Sequence, residues 1–130
     1  MSAVVLILEG SPELRRMLEE SLRSRGYAVK SAADVDETFT MLRRTRIDLL
    51  IADPPIPGLP SGAALLDPIQ AEFPDLPAIV VSGSAFDPEG IRLPQPGAPR
   101  RRLLRRPFTL GEMLTLTDRV LSGDGDSREL

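Results

Sequence analysis

Four side chains in this sequence combine types and positions suited to chemistry on an anion: the carboxylates of Glu9 and Asp53, the hydroxyl of Ser82 and the guanidinium of Arg106. Asp53 ends the apolar run "LLIAD", directly before the turn-forming "PPIPG". A lone carboxylate where such a run emerges can accept a phosphoryl group, ligate a metal, act as a general base or cap a loop. Glu9, closing "VVLILE", adds a second oxygen donor of the kind taken by Mg²⁺, an ion that keeps several of its waters. Ser82 can donate to an anion formed at Asp53, and Arg106 can compensate its charge. Phosphoryl transfer to a carboxylate needs little beyond an in-line donor, Mg²⁺ and such compensation.

The rest of the composition removes competing chemistries. With no histidine and no cysteine in 130 residues, this chain has no His-based triad, phosphohistidine, imidazole metal site, disulfide or thiolate. Its net charge of -3 gives no general attraction to nucleic acid. The arginines of "RRRLLRR", 100–106, lack interleaved aromatics and are expected to form a solvated strand edge, so no nucleic-acid partner is expected. No apolar run reaches the roughly 20 residues needed to span a bilayer. "MSAVVLILEG" reads as a first strand rather than a signal peptide, which gives the expectation of a cytoplasmic protein with no membrane partner.

Positioning these groups requires alternating strands and helices, and the sequence supplies them. Residues 3–8 form an apolar run expected of a strand covered on both faces. Ser11 caps a helix with Pro12 at its first position, and Leu14, Met17, Leu18 and Leu22 fall on one expected core face before Gly26. A weaker strand, 27–32, precedes a D-x-x-E capping box, Asp34 and Glu37, that opens a helix to about Arg44. Residues 47–53 are the third strand. The segment 61–73 carries a helical pattern in which Pro68 is expected to kink or shorten the helix. A fourth strand spans 78–82. Residues 86–99, rich in proline, replace an expected helix with irregular structure. Leu103 and Leu104 mark a short fifth strand, and Thr109 and Glu112 box a last helix with Leu110, Met113, Leu114, Val120 and Leu121 as its stripe. Phe39, Phe73 and Phe108 are expected in the core. One domain, 1–121, is expected, with a disordered tail over 122–130.

This alternation implies an α/β fold with a parallel sheet, whose ligands bind beyond the carboxyl ends of the strands at the topological switch point. Glu9, Asp53 and Ser82 end three of the strands and are therefore expected to converge there.

In "VVLILEGSPELRRML", "DLLIADPPIPGLPSG", "AIVVSGS" and "LLRRPF", in that order and spacing, the chain resembles the receiver (CheY-like) domain of two-component response regulators over roughly residues 3–121. The resemblance implies a (βα)5 flavodoxin-like fold, a doubly wound five-stranded parallel sheet with the fourth helix lost or replaced by the Pro-rich segment. It implies Asp53 as phosphoacceptor, Ser82 as the switch hydroxyl, Arg106 in place of the phosphate-binding lysine, and the Pro55 carbonyl, with Glu9 and Asp53, as Mg²⁺ ligands. It also implies a cis Arg106–Pro107 bond, and as partners a histidine kinase or phosphotransfer protein or another signalling protein, with a homodimer left open.

The departures are specific. Gly10 stands where the principal metal-binding acid belongs, so Mg²⁺ binding is expected to be weakened or absent. Arg106 keeps the charge but not the compact ammonium of lysine. Leu103 holds the aromatic switch position. The leading expectation is an atypical, degenerate single-domain receiver in a phosphorelay, on which phosphorylation of Asp53 is still open, a signalling phosphoprotein rather than an enzyme, with a phosphorylation-independent adaptor as the alternative. A phosphatase using Asp53 is disfavoured by Pro55, where a second acid is needed. A small-molecule-binding flavodoxin-like domain lacks a Gly-rich phosphate loop after the first strand. Residues 86–99 are read either as a fixed docking edge or as a loop with no role.

Overall fold

The computed structural model describes residues 2–53, 66–82 and 101–122. The elements run in the order β1 (Val4–Glu9), α1 (Pro12–Ser24), β2 (Ala28–Ala32), α2 (Val35–Arg44), β3 (Leu49–Asp53), α3 (Leu66–Glu72), β4 (Ala78–Ser82), β5 (Arg101–Arg105) and α4 (Leu110–Ser122). The five strands form one parallel sheet in the order β2-β1-β3-β4-β5. The chain moves outward from β1 to β2, then crosses to the other side of β1 to lay down β3. The switch point therefore lies between β1 and β3, the two strands that end in Glu9 and Asp53.

Side chains alternate across these strands and so divide the core in two. Leu6, Leu8, Leu50, Ala52, Ala78 and Val80 face one cluster with Leu42, Leu66 and Ile69 of the helices α2 and α3. Val5, Ile7, Leu49, Ile51 and Ile79 face the other, with Leu18 and Leu22 of α1 and Met113 and Val120 of α4. Each fully buried leucine or isoleucine in these layers contributes about 1.5–3 kcal/mol. By the same alternation, Glu9 and Asp53 continue the rows Val5–Ile7 and Leu49–Ile51, on the side covered by α1 and α4.

Local signals set the helix ends. Ser11 Oγ accepts from the Leu14 amide at 3.4 Å, and Pro12 opens α1. Gly26, at φ 100°, turns the chain after α1, a conformation that favours glycine. Asp34 accepts from the Glu37 amide, but Glu37 reaches back to the Ala33 amide at 2.8 Å, one residue before the expected box partner. The Thr109–Glu112 box is reciprocal, at 2.7 and 3.0 Å. Pro68 lies within the described part of α3, Leu66–Glu72, as its third residue. Phe39 and Phe73 pack against one cluster, their ring centroids 6.4 Å apart, and Phe108 against the other.

Three expectations are corrected. Leu14 and Met17 are 40% and 43% exposed, so the buried face of α1 runs through Leu18 and Leu22 only. On α4, Leu110 is exposed while Thr117 is fully buried, its hydroxyl donating to the Met113 carbonyl at 2.9 Å. The arginine run is not a uniformly solvated edge. Arg101 is 16% exposed, paired with Asp67 at 2.6 Å and donating to the Gln70 Oε1 of α3 at 2.5 Å. The Pro-rich segment 86–99, residues 61–65 and the tail beyond Ser122 lie outside the described residues. Among those described there are four helices, none long and apolar enough to cross a membrane.

Candidate functional site

Glu9 and Asp53 are direct register partners on adjacent strands, only 4% and 6% exposed. Strand-end placement explains both facts: the parallel ladder fixes their separation, and the apolar rows behind them remove water. The Ser11 amide donates to Glu9 Oε2 at 2.9 Å. The other oxygen, Oε1, is buried with no donor available to it. Its neighbour is the Asp53 carboxylate, and two ionised carboxylates have no hydrogen to share. A proton on Glu9 resolves this by making Glu9 the donor. Burial, followed by the hydrogen bond to Asp53, pushes the Glu9 carboxyl up to about 7; the Ser11 amide and Arg106 pull the other way.

Arg106, one residue past the end of β5, brings Nη2 to Asp53 Oδ1. The Arg106–Pro107 peptide is cis, as the resemblance implied. Ser82 ends β4 in register with Arg105, so its backbone lies at the same rim. The Ser82 side chain and Pro55 lie outside the described part of the structure, so the roles read for them are carried by the sequence. Leu103, in register with Val80, packs on the layer shared with α2 and α3.

One neighbour of the site escaped the sequence reading. Arg15, on the first turn of α1, donates from Nη1 to the Glu9 carbonyl at 2.9 Å. Its signal was its spacing: Arg15 lies three residues before Leu18, on the same stripe as Leu18 and Leu22, facing the end of β1. Ser11 is accounted for by structure alone, its hydroxyl capping α1 and its amide serving Glu9.

The response regulator receiver domain family matches residues 5–118. The chain belongs to that family. Among curated relatives, the nitrogen assimilation regulatory protein NtrX of Azorhizobium caulinodans is 25% identical over 93% of this chain and 26% of its own length. The sensor kinase CckA of Brucella abortus is 30% identical over 92% of this chain and 13% of its own length. The receiver thus spans about a quarter or less of these relatives. Among solved structures, the chemotaxis response regulator CheY4 of Vibrio cholerae superposes with a TM-score of 0.76 at 24% identity, covering 93% of this chain and 100% of that one. The signal receiver domain of an HD domain-containing protein from Pseudomonas fluorescens gives 0.80 at 20% identity, covering 95% and 98%. These likenesses support the fold, a CheY-like five-stranded α/β receiver.

Receiver domains generally bind Mg²⁺ at their phosphorylation site. Here the donor set fits that ion poorly. Among the described residues no three acidic side chains come together. Gly10 offers no side chain, one Glu9 oxygen is held by the Ser11 amide, and one Asp53 oxygen is held by Arg106.

Proposed function

We propose that this receiver accepts a phosphoryl group on Asp53 from a histidine kinase or phosphotransfer protein and passes the signal on by protein contact in the cytoplasm, without being an enzyme. The placement of Asp53 carries this reading: a nearly buried carboxylate at the switch point, flanked by an acid and held by a guanidinium. In the proposed step, the N–P bond of the donor phosphohistidine breaks as an O–P bond forms to Asp53. The bonding electron pair stays on the imidazole nitrogen. Arg106 remains beside the acceptor and offsets the charge gathered on the phosphoryl oxygens, a role suited to a planar fork of donors. Ser82 is assigned to one of those oxygens.

The test is transfer from a phosphorylated phosphotransfer protein, read as label moving onto the receiver. Transfer to the wild type and none to Asp53→Asn supports the reading; equal transfer to both overturns it. A second reading, a phosphorylation-independent adaptor, is favoured by Gly10 and by the ion pair that already holds Asp53. It expects partner capture by the wild type and by Asp53→Asn alike, with no label on either.

A further inference from the structure

We infer that Arg106 is a built-in cation at Asp53 that occupies the electrostatic place of a divalent metal, so that this pocket is closed to Mg²⁺ for as long as the guanidinium is seated there. The inference rests on the reading of Asp53 as the centre of the receiver site, but it does not require phosphorylation to occur.

Three observations lead to it. The guanidinium sits directly on Asp53 Oδ1, and the carboxylate it holds is only 7% exposed on its side chain. The Asp53 end of the pair is shielded from water, while the Arg106 side chain is 36% exposed. Next, the side chain that would tether a metal against this competition is missing, because position 10 is glycine. Finally, the neighbouring acid is built into the protein rather than turned toward an ion: Glu9 gives one oxygen to the Ser11 amide, and its carbonyl is gripped by Arg15 at 2.9 Å.

A dication entering this site would have to displace the Arg106 guanidinium from the Asp53 carboxylate. Arginine suits the resident role better than lysine. Its charge is permanent, it is weakly hydrated, and its planar fork matches the geometry of a carboxylate. A metal-binding receiver needs its cation delivered from solution; this one carries its cation on the chain.

Thermal unfolding of the full chain, titrated with MgCl2 or MnCl2 at constant ionic strength, tests the inference. The variants are Arg106→Gln, Arg106→Lys, Asp53→Asn and the double variant Arg106→Gln/Asp53→Asn. The wild type is expected to show no saturable shift. Arg106→Gln is expected to gain a saturable rise of about 4–6 °C when metal reaches about ten times its Kd. The double variant is expected to lose that rise. Arg106→Lys, which keeps the charge, is expected to gain less than Arg106→Gln. It also provides the comparison with wild type if Arg106→Gln does not fold.

A saturable wild-type shift removed by Asp53→Asn would overturn the inference, since metal and arginine would then share the site. So would the failure of both folded Arg106 variants to gain any metal response. Because the readout is stability rather than phosphoryl transfer, a receiver that takes no label can still pass this test. Equally, one that is labelled can fail it.

Discussion

Glu9 and Asp53 face each other across the parallel ladder of β1 and β3 as two nearly buried carboxylates, with a guanidinium on one and a backbone amide on the other. That juxtaposition is unfavourable when both are ionised, and it adds to burial in pushing the Glu9 carboxyl up to about 7.

Stability should therefore fall as pH rises across the neutral range. The Glu9 carboxyl is raised from 4.5 to about 7 by burial first and the Asp53 hydrogen bond second. The folded state then holds a proton that the unfolded state has released. This contribution is complete below pH 4.5 and is lost as pH climbs through about 7. Denaturant titrations in chelator are expected to show a loss of up to about 3 kcal/mol between pH 5 and 8. Glu9→Gln should flatten the slope; an unchanged slope in that variant would assign it to another group.

The corrected face of α1 makes a separate prediction. Leu18→Ala removes a side chain that is 4% exposed and should cost about 2–5 kcal/mol. Leu14→Ala and Met17→Ala, both on the exposed first turns, should stay within about 0.5 kcal/mol. Equal losses at all three positions would restore the broader stripe.

How far these features could be read from sequence follows from the range of the forces involved. The strands were legible because apolar runs bounded by turn residues leave few alternatives, and Glu9 and Asp53 were legible as strand ends. The face of α1 was misread because periodicity says which residues share a side, not which of them tertiary packing covers. Arg15 and Arg101 were missed for a related reason. Their partners, the Glu9 carbonyl and Gln70 with Asp67, are brought within reach only by tertiary packing.

Arg101 should matter where Arg105 does not. It ties β5 to α3 through buried Gln70, whose amide in turn donates to the Leu76 carbonyl at 2.7 Å. Arg101→Ala is expected to cost about 1–3 kcal/mol, against about 0.5 kcal/mol or less for exposed Arg105→Ala, measured by urea unfolding. Equal costs would mean that the arginine run acts as a solvated edge after all.

Tyr27 offers a clean optical reporter, being the chain's one tyrosine in a protein without tryptophan. Its hydroxyl donates to Asp118, which also pairs with Arg25 at 2.7 Å, joining the end of α1 to α4. Burial and the Asp118 carboxylate push its phenol up to about 12. Stability from this group is present below about pH 10 and lost as pH approaches 12. The tyrosinate absorbance of the folded protein should rise near 12, and Asp118→Asn should bring it down. No movement in that variant would remove Asp118 as a cause.

The central claim is that Asp53 is a working phosphoryl acceptor. Its most direct test is intact-protein mass after incubation with a small-molecule phosphodonor, comparing the wild type with Asp53→Asn and Gly10→Asp. The account predicts one phosphoryl adduct on the wild type and none on Asp53→Asn. An unmodified wild type, with an adduct appearing only on Gly10→Asp, would contradict it and mark the natural protein as an unphosphorylated adaptor.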